Sequence, residues 1–212
     1  MIIELILIVL CVLLWIVIFY PKDTILDYFT TDFTKSNLDN RIYKVVGGLS
    51  DKNEAADILA TLNEFMIQYL KYIKINVINN SNQPLYKQEF FNRILNNYNI
   101  DTIFENEPKP GEVTSFVADK GKQFGICLRK KGELKNQFHK LDILKFVMLH
   151  ELTHLGCISY GHKTEFWSSF KIVLSEAVKS GLYKPINYLK KPETYCGIPV
   201  NSNPHCTVNE CY

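Results

Sequence analysis

His150-Glu151-Leu152-Thr153-His154, continued by Leu155-Gly156-Cys157-Ile158-Ser159-Tyr160-Gly161-His162, is the stretch on which the reading of the chain turns. It contains H-E-x-x-H. On a helix, residues four apart share a face, so His150 and His154 can aim one imidazole each at the same metal ion. Glu151 stands beside the first of them, where it can take a proton from a water that the ion activates. A zinc site that does chemistry needs a third protein ligand and one open position. His162 is the expected third ligand, because Gly161 before it lets the chain leave the helix and turn back. Glu165 is its rival, carried to the metal by a following helix. Three of the five histidines fall in this stretch, whereas His139 and His205 stand alone in polar segments and read as surface residues.

The residue types fit one chemistry. Zinc held by neutral imidazoles lowers the pKa of its water to about 7 and polarises a carbonyl. Glu151 then serves as general base and as proton donor to a leaving amine, a task that glutamine could not perform. Tyr160 and Tyr195 are candidates to stabilise an oxyanion.

Outward from the motif, Leu144, Val147, Met148, Leu152 and Leu155 predict a buried helix opening at Leu141 or Asp142. A further helix is expected over 163–180, stopped by Gly181. Upstream, apolar residues at three- and four-residue spacing from Ala55 to Ile73 predict a long amphipathic helix over 51–75, capped by Ser50 or Asp51. A second is expected over 85–97. Residues 41–46 alternate as a strand does, and 112–119 with 123–129 read as a hairpin. The first arm of that hairpin is an ordinary strand or an edge along which a substrate strand is added. The tail from Leu182 reads as mostly irregular.

The N-terminus differs in kind. Residues 2–20, IIELILIVLCVLLWIVIFY, carry Glu4 as their sole charge, and about 20 such residues cross a bilayer as a helix. The expected organisation is a transmembrane anchor over 1–20, a polar tether over 21–40 and one domain over 41–212. Lys22 after the span favours a single-pass membrane protein, in a host or virion membrane, with a cytosolic C-terminal domain. The partners expected are the lipid bilayer, through residues 2–20, and a protein or peptide substrate. The net charge of +2, from 24 basic and 22 acidic residues, gives no case for nucleic acid. Cys127 and Cys157 read as small buried side chains. Cys196, Cys206 and Cys211 crowd the last seventeen residues without C-x-x-C spacing. They read as free thiols, with a disulfide among them as the alternative in an oxidising compartment.

The run HELTHLGCISYGHKTEFW (150–167) resembles the core of the WLM and SprT-like metallopeptidases. YKVVGGLSDKNEAADILATLN (43–63), TSFVADKG (114–121), ICLRKK (126–131) and KKPETYCGIPVNSNP (190–204) extend the likeness to membrane-anchored WLM-like proteins of large nucleocytoplasmic DNA viruses. That resemblance implies a zincin-like α+β domain, one Zn2+ and proteolysis. It carries His150, His154 and His162 over as ligands and Glu151 as the base. The gap before the third histidine is longer than in cellular WLM proteins. A reading from another class is a catalytically silent viral membrane or virion structural protein that keeps zinc for stability.

Overall fold

The computed structural model describes residues 31–109, 111–132 and 137–212, together with Ile6 and Val9. Over residues 31–212, among the described residues, four α-helices pack with three small sheets in a mixed α/β arrangement. Strands β1 (Thr31–Lys35) and β2 (Ile42–Val46) form an antiparallel hairpin. Helix α1 (Lys52–Ile73) follows, and its last turn widens into a π-helical turn over Lys74–Ile78. Helix α2 (Leu85–Asn97) leads to β3 (Ile103–Glu105). Strand β4 (Phe116–Ala118), a tight turn over Asp119–Gly121 and β5 (Gln123–Ile126) come next. Then follow α3 (Leu141–Gly156), α4 (Thr164–Lys179) and a hairpin of β6 (Glu193–Tyr195) and β7 (Ile198–Val200).

The central sheet has the order β3-β5-β4, with β5 parallel to β3 and antiparallel to β4, so β4 is an edge strand. Helix α3 is apolar on nearly all sides, which requires burial on all sides. Accordingly α1, α2, α4 and β4 surround it. Leu59, Leu62, Met66, Tyr69 and Ile73 on the inner stripe of α1 are fully buried. Tyr69 Oη donates to the carbonyl of Val173 in α4 at 2.9 Å, so its buried hydroxyl is satisfied. A buried ion network ties the sheet to α1. The Arg129 Nε donates to Glu105 at 2.8 Å and its Nη1 to Asp51, while Glu105 also accepts the Val46 amide. Asp51 thus precedes α1, as expected of a cap, but its carboxylate serves Arg129 and not the helix amides.

Several expectations are corrected. Among the described residues no helix is long and apolar enough to cross a membrane. The membrane-spanning helix ahead of the domain, and with it the assignment as a single-pass membrane protein with a cytosolic domain, is therefore withdrawn. Apart from Ile6 and Val9, the stretch 2–20 lies outside the described residues. Residues 31–35, read as tether, are strand β1, whose Phe33-Thr34 pairs with Tyr43-Lys44. The tail from Leu182 is not merely irregular. It carries the β6–β7 hairpin and folds back so that Tyr188 is fully buried against Phe146. The cysteines read as free are oxidised: Cys127 pairs with Cys196 and Cys206 with Cys211, leaving Cys157 as the free thiol among the described residues.

Candidate metal centre

Helix α3 delivers His150 and His154 from one face, one turn apart, and their rings lie 5.2 Å apart between centroids. The helix ends at Gly156, where any side chain would run into the Phe90 ring of α2, with Phe90 Cδ2 2.7 Å from the Cβ position. The chain then turns through Gly161, whose φ of +77° is the left-handed conformation that glycine adopts freely. His162 returns to the helix face there. Its Nε2 lies 2.8 Å from His150 Nε2, and one donor atom from each of the three histidines falls within 4.8 Å of the others.

Aromatic rings fix these imidazoles. Phe166 in the first turn of α4 stacks on His154 at 4.3 Å and meets His162 edge-on at 4.7 Å. Phe170, one turn on, meets the His150 ring at 5.2 Å. Burial holds the His150 imidazole down at about 3, helped by its neighbours His154 and His162. It holds His154 at about 4, again with help from His162, and moves His162 in the same direction. Three imidazoles kept neutral are in the protonation state that a metal ligand needs. Nitrogen ligands 2.0–2.1 Å from a tetrahedral ion stand about 3.3 Å apart. The shortest observed separation is 2.8 Å and all lie within 4.8 Å, which brackets that value, so the donor set fits zinc with separations adjusted by up to about 1.5 Å.

Glu151 is 6% exposed and faces the same cleft. Burial pushes its carboxyl up to about 8, and no hydrogen bond to it exists among the described residues. Glu165 goes elsewhere: its carboxylate accepts the Ile158 amide at 2.8 Å and the Ser159 amide at 3.0 Å, bracing the loop that brings His162 round. Those bonds hold it below the usual carboxylate range, with the Ser159 hydroxyl contributing most.

The cleft above the histidines is about 1700 Å³. The edge strand β4 with its lead-in Val113–Ser115, and β7 with Asn201 and Ser202, line it together. Of the two candidate tyrosines, Tyr160 lines it at 90% exposure. Tyr195 is buried beside Glu151, with its hydroxyl 2.5 Å from Ser115 Oγ. Ser115 Oγ in turn accepts the Cys127 amide at 3.1 Å. These two positions and the disulfide join β5 to the β6–β7 hairpin. Sequence reasoning missed the Ser115–Tyr195 pair, because no periodicity links residues 80 apart. It also misjudged the lone histidines. His139 is buried and its Nε2 accepts the Cys196 amide at 3.1 Å, while His205 is buried with Nδ1 3.2 Å from Ser175 Oγ.

No protein-family profile matches the chain, and no solved structure matches it. Two viral proteins are similar to it. One, of Acanthamoeba polyphaga mimivirus, bears the name "Uncharacterized protein R325" and is 32% identical over 171 residues, which are 81% of this chain and 83% of the relative. The other, of Invertebrate iridescent virus 6, bears the name "Uncharacterized protein 136R" and is 34% identical over 90 residues, 42% of this chain and 48% of the relative.

Proposed function

This chain belongs to the family of the mimivirus protein R325, and we propose that it is a zinc-dependent metallopeptidase of the H-E-x-x-H type. The observation that carries the reading is the convergence of His150, His154 and His162 within 4.8 Å at the floor of an open cleft, with a buried carboxyl, Glu151, next to the first of them. A purely structural zinc site is closed and has no use for such a carboxyl.

The three imidazoles would hold the ion. Bound zinc supplies a nucleophilic water near neutral pH and polarises a peptide carbonyl. Glu151 accepts no hydrogen bond among the described residues, and the charge of a bound ion would favour its carboxylate, which could then take a proton from the attacking water and return it to the departing amine. Phe166 and Phe170 pack the imidazoles and keep bulk water from their flanks. The free edge of β4 offers main-chain groups to an extended peptide, aligning its carbonyls across the floor.

The test uses the full chain. Wild type and Glu151→Gln are assayed for metal content and for cleavage of an undirected peptide library. The expected result is one zinc in both proteins and cleavage by wild type, with the variant slower by about 10²–10⁴-fold, the range for losing a general base. One zinc in both with no cleavage by wild type would move the protein to the second class, a zinc-stabilised structural protein. Absence of zinc from both would sink the site.

A further inference from the structure

Three cations gather just beyond His154, around the carboxyl end of α3. Arg93 Nε donates to the Gly156 carbonyl at 2.7 Å, which fixes the guanidinium at this corner while its terminal nitrogens engage no acid among the described residues. Asn97, one turn along the same face of α2, donates to the Leu155 carbonyl at 3.2 Å. The Asp119–Gly121 turn is seated on this corner. Gly121 has a φ of +90°, and a Cβ there would overlap the Asn97 carbonyl and lie 3.5 Å from Leu155 Cδ2. Lys120 and Lys122 flank that glycine, are exposed, and form no ion pair among the described residues. Both line the cleft together with Arg93.

The nearby acids offset this charge only in part. Asp119 is the single carboxylate of the turn, and Glu165, held ionised by the Ser159 hydroxyl and the amides of Ile158 and Ser159, also feels the Arg93 charge, so three cations face two carboxylates. Around the rest of the cleft the large exposed side chains Val113, Ile158, Tyr160, Trp167 and Ile198 are each at least 45% exposed, with the exposed polar side chains of Asn96, Asn201 and Ser202 among them. Exposed apolar side chains with uncharged polar ones between them, and a positioned guanidinium and two lysines at one corner, describe a recognition surface with one cationic contact.

We propose that the corner formed by Arg93, Lys120 and Lys122 is a subsite for an acidic side chain, so that the cleft selects extended peptides carrying Asp or Glu among apolar residues. The proposal rests on the cleft being a peptide site, as the peptidase reading holds, but not on turnover. The competing account is local: cations at a helix carboxyl end complement its dipole, and Arg93 caps a carbonyl.

The test is a binding measurement on full-chain Glu151→Gln, with and without added zinc. Fluorescein-labelled nonapeptides of Ala and Leu carry one Glu or one Gln, moved through every position, and affinity is read by anisotropy. At one register Glu is expected to bind about tenfold tighter than Gln, the scale of one charge-assisted hydrogen bond. Adding Lys120→Gln and Lys122→Gln should cut that ratio at least threefold while leaving the Gln peptide's affinity unchanged. Further addition of Arg93→Gln should bring the ratio to one. Equal affinities at every register, or a ratio that survives the lysine substitutions, overturns the subsite. If the ratio is found and wild type cleaves none of these peptides, the subsite stands and the peptidase reading falls.

Discussion

The two sides of the cleft are built in opposite ways. The histidine side is one continuous run, residues 150–167, in which a helix, a glycine turn and the next helix bring ligands and packing rings together with little chain to close. The opposite side joins residues 113–118 to residues 195–202 across a long excursion, and the Cys127–Cys196 bond with a sequence separation of 69 fastens it. Short-range geometry is cheap in loop entropy, whereas distant segments need a strong tie to stay in register. The ligand set should therefore survive damage to the far wall, and the far wall should survive loss of the ligands.

Breaking the near side should give the largest effect. His154→Ala is expected to lower zinc affinity on the order of a thousandfold, since removing one of three ligands forfeits a large share of a binding energy of ~10 kcal/mol or more. Zinc content and the zinc-dependent rise in Tm report the loss, and an unchanged free-thiol count shows the far wall intact. A variant that still holds one zinc tightly would refute the cluster.

Breaking the far side comes next. Cys127→Ser with Cys196→Ser removes the bond without leaving an odd thiol, and should cost about 2–4 kcal/mol in urea unfolding. One zinc should remain bound. Zinc loss in this variant would show that the two walls are not independent.

His139 sharpens the contrast, because it lies under the far wall against Cys196. Burial lowers it to about 4, so the folded chain keeps it neutral where the unfolded chain, near 6.5, takes up a proton. Its contribution is complete above the unfolded value and is lost as pH falls from about 6.5 towards 4. Between pH 7 and pH 5 that amounts to roughly 2 kcal/mol. Urea midpoints at the two pH values should differ by less in His139→Gln than in wild type, and an equal difference would rule His139 out as the source.

The smallest effect is expected at Glu165. Glu165→Gln keeps an acceptor for the loop amides but gives up charge-assisted bonds, a loss of about 1 kcal/mol or less. Its zinc content should match wild type. Lost zinc would return Glu165 to the ligand set in place of His162.

What could be read from sequence follows the same division. The α3 and α4 helices, the turn at Gly161 and the meeting of His150, His154 and His162 all arise within about one helix-turn-helix length, where periodicity and glycine chemistry suffice. The long α1 helix and α2 were likewise legible from their apolar spacing. The cysteine pairing was not, because six thiols carry no record of which of them meet in space. His139 and His205 looked exposed among polar neighbours, yet Cys196 of the returning tail covers His139, and the tail seats its own His205 against Ser175 of α4. Strand β1 was hidden because its pairing with β2, rather than its own composition, makes it a strand. The apolar residues 2–20 invited a bilayer by composition alone, and no described helix supports that assignment.

The Cys127–Cys196 bond also bears on how the protein must be prepared. Material made in a reducing cytosol would have its histidines in place and the β6–β7 hairpin untied, so it would load zinc normally and still present a slack, half-built groove. A silent assay on such material would measure the oxidation history of the sample, and a thiol titration beside each assay separates that history from the chemistry.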